Sequence, residues 1–128
     1  MDIREGTEAD LEAIATLAGI ASETARGLLR DRRVRVGTID GSVVAVLCFH
    51  HDLGRIHITR LCGDESAFEA LIRDPVRVAR EEGVSIETVV PDSDRALRGA
   101  LEAAGFTSAG PGPRFDGEAT TWFRLDPC

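Results

Sequence analysis

The chain has 128 residues, 22 acidic against 15 basic, and a formal charge of −7. That length suits one domain able to bury roughly two-thirds of its unfolded surface without a disulfide or metal staple, and the negative charge argues against a phosphate backbone as partner, because the one short Arg cluster (Arg30, Arg32, Arg33, Arg35) has no interleaved aromatics. No apolar stretch approaches the roughly 20 residues of a membrane span and the start, MDIREGTEAD, is too polar for a secretory leader, so a soluble cytoplasmic protein with neither nucleic acid nor membrane among its partners is expected.

Residues 2–5 read as a short strand. Thr7, with Asp10 three residues on, is an acidic variant of the capping box, opening a helix whose buried stripe is Leu11, Ile14, Leu17 and Ala18. A second helix over residues 22–32 follows, with Leu28 and Leu29 as its apolar contact and positive charge in its last turn, where the helix dipole favours it. The period then changes to two, predicting strands over 34–39, 42–49 and 55–62 in an antiparallel meander. Asp40-Gly41 is a hairpin signal, since both central positions of a type I′ turn need positive φ. The run VVAVLCF, residues 43–49, is apolar throughout and predicts a central strand covered on both faces.

After Cys62 the segment GDESAFEALIRDPVRVAREEG is helical in pattern; Asp74-Pro75 predicts a kink or two helices in tandem, 65–73 and 75–82. Val84, Ile86, Val89 and Val90 form a buried strand around Glu87, and Pro91 cannot continue a central strand. Ser93 or Asp94 can cap the next helix, where Leu97, Ala100, Leu101 and Ala104 recur at three- and four-residue steps; Gly105 supplies the left-handed position that ends it. Short strands at 107–109 and 120–125 close the chain, separated by Gly110-Pro111-Gly112-Pro113 and a turn at Asp116-Gly117. A strand, a helical crossover and a parallel strand make a right-handed βαβ unit, so the class is α/β (α+β), a mixed, mostly antiparallel sheet flanked by helices.

The ending Ala103-Ala104-Gly105-Phe106, together with the order β-α-α-β-β-β-α-β-α-β-β, resembles the GNAT superfamily of acyl-CoA-dependent N-acyltransferases over nearly the whole chain. The resemblance implies acetyl-CoA as cofactor and a small-molecule or peptide amine as acceptor. In that family a glycine-rich turn after the fourth strand holds the CoA pyrophosphate on backbone N–H groups at a helix N-terminus. The matching stretch, from Cys62 to Glu69, has one glycine, Gly63, and three carboxylates, Asp64, Glu65 and Glu69. Two readings stay open there: Asp64 or Ser66 as an N-cap, with Ser66 and Glu69 spaced as a capping box, or a phosphate on the amides of Ser66 and Ala67 with Arg60 as counterweight. Leu61 and Cys62 are the implied backbone partners of the thioester carbonyl.

The family's Tyr, four residues before the Gly of the Gly-Phe pair, is replaced by Leu101, and the chain has no Tyr. A general acid must then be water, Cys62 or His57. Asp94 stands where an Asn is usual. For a general base, His57, alternating with Ile56 and Ile58, and Glu87 on the parallel strand are the candidates. His50, His51 and His57 share one hairpin with Asp52, but their spacing matches no zinc motif and no metal is expected.

Every basic residue is Arg, and Lys, Asn and Gln are absent; with the acidic surplus this predicts a halophilic source. Cys48, Cys62 and Cys128 are odd in number without a CxxC, so neither a disulfide framework nor a thiolate metal site is expected. The alternative to an enzyme is a non-catalytic GNAT-like binding module. The first and last strands, as exposed edges, offer a route to a homodimer.

Overall fold

The computed structural model describes residues 1–127; Cys128 lies outside them. The elements are β1 (Asp2–Glu5), a 3-10 turn (Glu8–Asp10), α1 (Leu11–Ala18), α2 (Ser22–Asp31), β2 (Arg33–Ile39), β3 (Ser42–Asp52), β4 (Arg55–Gly63), a second 3-10 turn (Glu65–Ala67), α3 (Phe68–Glu82), β5 (Ser85–Pro91), α4 (Arg95–Ala103), β6 (Thr107–Pro111) and β7 (Thr120–Leu125). All seven strands share one sheet, ordered β1-β2-β3-β4-β5-β7-β6. Every pairing is antiparallel except β4 with β5, as a strand-helix-strand crossover through α3 requires.

β3 is central and covered on both faces, as its unbroken apolar run predicts. Ala45, Leu47 and Phe49 join the larger core, which takes in Phe68, Leu71 and Ile72 of α3 and Leu97 and Leu101 of α4. Val46 and Cys48, pointing the other way, join Leu11, Ile14 and Ala25 of α1 and α2. The helices thus pack in pairs on opposite faces. Asp40 and Gly41 take φ values of 51° and 81° in the predicted hairpin turn, and Leu53-Gly54 repeats the geometry between β3 and β4.

α3 is one helix, not two in tandem. Pro75 lacks an N–H and costs about 3 kcal/mol in a helix interior, but it is itself fully buried, among Leu71, Ile72, Val76 and Ala79. Arg35 Nε also donates to Asp74 Oδ2 at 2.7 Å, tying the residue before the proline to β2. Burial along the helix outweighs the missing bond. Three smaller differences follow from non-local pairing. β6 runs on through Gly110 to Pro111 with a register shift; Pro91 ends β5 opposite Thr120, where β4 has already ceased to pair and only one neighbour remains. The sheet's edges are β1 and β6, not β1 and the last strand, because β7 inserts between β5 and β6.

Candidate functional site

The β4–β5 ladder has three rungs, Arg55↔Ser85, Ile56↔Ile86 and His57↔Glu87. Beyond them the Thr88 hydroxyl donates to the Ile58 carbonyl at 2.9 Å, and then β4 continues along β3 to Gly63 while β5 continues along β7. The cause is local: the β3–β4 register slips between Cys48 and Phe49, leaving Thr59 as an extra residue on β4. Such a bulge bends and twists its strand. His57 and Glu87 therefore stand at the last rung before the two central strands part.

Register places His50, His57 and Glu87 side by side on three adjacent strands. His57 Nδ1 is 3.3 Å from Glu87 Oε1, and Arg55 Nη1 is 3.6 Å from Oε2. The Glu87 carboxylate is largely buried and has a nitrogen neighbour at each oxygen. The His50 ring stacks on His57 with centroids 5.4 Å apart and planes 26° off parallel. Its Nδ1 is buried without a hydrogen-bond partner among the described residues. Burial, with Arg32 and His57 adding to it, holds the His50 imidazole below its usual pKa.

A cleft of about 340 Å³ opens over this row, lined by His50, Asp52, His57, Glu87, Phe115 and Trp122 among others. The sequence reading reached His57 and Glu87 and missed Phe115 and Trp122. Alternation along β7 was the available signal: Trp122 lies next to core-facing Phe123 and must point to the other face. Trp122 pairs with Val89 on β5. Phe115 sits on the loop between β6 and β7 and is 57% exposed.

The other predicted residues run from the end of β4 through the 3-10 turn that precedes α3. Leu61, Cys62 and Gly63 pair with Leu47, Val46 and Ala45. The Cys62 thiol is partly buried, and burial pushes its pKa up. Gly63 has φ +108°, and a Cβ there would collide with the Val44 carbonyl oxygen and lie 2.6 Å from Ala45 Cα. Glycine is required at this corner by the close approach of β3, whatever its use to a ligand.

Asp64, not Ser66, caps the turn: its Oδ1 accepts from the Ser66 amide at 3.0 Å and from the Ser66 hydroxyl at 2.7 Å. These bonds hold the Asp64 carboxyl below its usual pKa. The Ala67 amide donates to the Asp64 carbonyl at 3.0 Å and the Asp64 amide to Val44 at 2.9 Å. The amides of Ser66 and Ala67 are thus both bonded within the protein. Across a shallow groove from Glu65 and Glu69 lies Arg95 of α4. α4 itself is capped by Asp94, whose Oδ1 accepts from the Leu97 amide at 3.1 Å, and Leu101 is fully buried.

Among the described residues no group of three His, Cys, Asp or Glu is placed to share a metal ion, and no helix is long and apolar enough to cross a membrane. Neither a family model nor a curated protein sequence matches the chain. Solved structures do. A ribosomal-protein-alanine N-acetyltransferase from Brucella melitensis matches at TM-score 0.83 and 17% identity, covering 98% of this chain and 99% of that one. Ard1 from Thermoplasma volcanium matches at 0.81 and 21%, covering 99% and 97%, and an acetyltransferase of the GNAT family from Streptococcus pneumoniae at 0.80 and 13%, covering 99% of each. With sheet order, crossover and the parting of β4 from β5 all in place, this chain has the fold of the GNAT N-acetyltransferases.

Proposed function

We propose that this protein transfers an acyl group from an acyl-CoA thioester to an amine, with His57 and Glu87 handling the amine's proton. The observation that carries the reading is the pairing of those two side chains at the point where β4 and β5 part. The fold supports the reaction class, and the Brucella neighbour, named for a ribosomal-protein alanine, supports an amine acceptor, peptide or small molecule.

The residues present fit the thioester arm of acetyl-CoA and not its diphosphate. β4 has no β5 partner after His57, so an extended arm finds an open strand edge, with Leu61 and Cys62 beside the thioester carbonyl. At the α3 start, Gly63, Ser66 and Ala67 form no anion cradle: the Ser66 and Ala67 amides are already bonded, and Asp64, Glu65 and Glu69 repel phosphate. Held by its arm alone, acyl-CoA binds weakly.

When bound, the thioester would supply an electrophilic acyl carbon, to which a neutral amine adds with departure of the thiolate. With the Nδ1 proton facing Glu87, His57 Nε2 is the basic nitrogen. Glu87 holds the ring and stabilises the imidazolium as His57 accepts the amine's proton, and Arg55 flanks the other carboxylate oxygen at 3.6 Å. Leu101 has no proton to give, so the thiolate is protonated by water or by the imidazolium of His57. Confinement of amine and thioester at one opening contributes the rest.

A second reading, a GNAT-like module that binds without catalysis, is favoured by the occupied amides of Ser66 and Ala67. Calorimetry with acetyl-CoA, followed by thiol release in the presence of primary amines, separates the two. Binding with amine-dependent thiol release is expected; no heat and no thermal shift at millimolar acetyl-CoA overturns the acyl-transfer reading.

A further inference from the structure

The cleft over Glu87 has a lining that selects by charge and by shape. Among the described residues, two carboxylates line it, Glu87 and Asp52, and no arginine does. Arg55 approaches Glu87 from beside the cleft, while Arg124, on the rung next to Glu87, is bonded to Asp126 and Ser85. Trp122, which pairs with Val89 two residues beyond Glu87 on β5, and Phe115 give the lining its aromatic surface.

Phe115 is more than half exposed, yet its backbone is fixed. Its amide donates to the Glu118 carbonyl at 3.1 Å and the return bond is 2.8 Å, across a turn in which Asp116 and Gly117 both take positive φ. Arg114 bonds the Gly117 carbonyl at 2.8 Å, and Ser93 holds Glu118 at 2.6 Å. These bonds fix the backbone from which the Phe115 ring projects at the cleft.

We infer that the acceptor is a small arylalkylamine: an ammonium on a short chain from an aromatic ring, with no carboxylate near the nitrogen. The ammonium goes to Glu87 and Asp52, and the ring packs against Trp122 and Phe115, where aromatic pairs and cation–π contact add to apolar burial. A free α-amino acid brings its own carboxylate against Glu87 and Asp52 and is repelled. A linear diamine places charge where the wall is apolar. A volume of about 340 Å³ lies at the small end of ligand pockets and suits one ring and a short chain. What becomes of the bound amine rests on the acyl-transfer reading; its recognition does not.

Trp122 is the only Trp and the chain has no Tyr, so intrinsic emission reports this wall without acyl donor. Titrations with phenethylamine, L-phenylalanine and 1,4-diaminobutane are the test, repeated on Phe115→Ala, an exposed loop position whose fold is checked by circular dichroism. The expected result is saturable emission change with phenethylamine at a Kd at least about ten-fold below the other two, weakened about five- to ten-fold in F115A. Equal binding of phenylalanine, tighter binding of the diamine, or emission unmoved by all three overturns the inference. Emission change without thiol release overturns acyl transfer alone, and turnover indifferent to acceptor class and to F115A overturns the acceptor assignment alone.

Discussion

His57 Nδ1 and Glu87 Oε1 lie 3.3 Å apart across the last rung that β4 and β5 share. The contact exists because parallel pairing brings residues 30 positions apart into register and then stops, leaving both side chains at an opening. Replacing His57 by Ala removes the basic nitrogen and is expected to lower kcat/KM for amine acylation by about 10²–10⁴-fold. Glu87→Gln keeps the shape and loses the charge, so a smaller loss with an altered pH–rate profile is expected. Steady-state thiol release across pH 5–9 checks both, and unchanged turnover in H57A would remove His57 as base.

The acids at the α3 start act against the diphosphate of acyl-CoA. Glu65→Gln with Glu69→Gln is expected to tighten acetyl-CoA about 3–10-fold, the scale of two exposed like-charge contacts. The gain shrinks at 1 M salt, where the screening length falls to about 3 Å. Calorimetry at two salt concentrations measures it; no gain at low salt would show that these carboxylates lie outside the donor's reach.

Acid stability should turn on Asp10. Its carboxylate accepts from both terminal nitrogens of Arg4, at 2.7 and 2.8 Å, and from the Thr7 amide at 2.8 Å. The Arg4 guanidinium, chiefly, and the Thr7 amide hold its pKa down to about 2. A lowered carboxyl pKa stabilises the fold above the unfolded value of about 3.9 and loses that contribution as pH falls toward 2. Asp10→Asn is expected to cost about 1 kcal/mol at pH 7, allowing for the half-exposed Arg4, and only a small fraction of that at pH 2, where the folded carboxyl is about half protonated. Urea midpoints at the two pH values test this.

Two glycines should respond in opposite directions to alanine. Gly63→Ala combines a φ of +108° with a Cβ against Val44 and Ala45, and about 2–3 kcal/mol of destabilisation is expected. Gly99 lies mid-helix in α4 with no atom near its Cβ position, so Gly99→Ala should stabilise by about 0.5–1 kcal/mol. Thermal melts of the two variants measure the contrast.

Much of the fold was legible locally. Period-two alternation, the Asp40-Gly41 turn, the VVAVLCF run and the Asp94-to-Gly105 helix frame each rest on a few neighbouring residues, and together they determined element order and the central place of β3. Tertiary structure decided what depends on partners distant in sequence: burial that carries α3 through Pro75, insertion of β7 between β5 and β6, and the Thr59 bulge that parts β4 from β5. The site divides the same way. His57 and Glu87 were identifiable as titratable residues on two strands, but their meeting is a matter of register. The Ser66 amide meets the Asp64 side chain and the Ala67 amide meets its carbonyl only through the geometry of the folded turn, and Phe115 reaches the cleft only because a clamped loop folds it there. Sequence specifies which groups are present and their local periodicity; distances between them depend on how non-local burial and strand pairing close the chain.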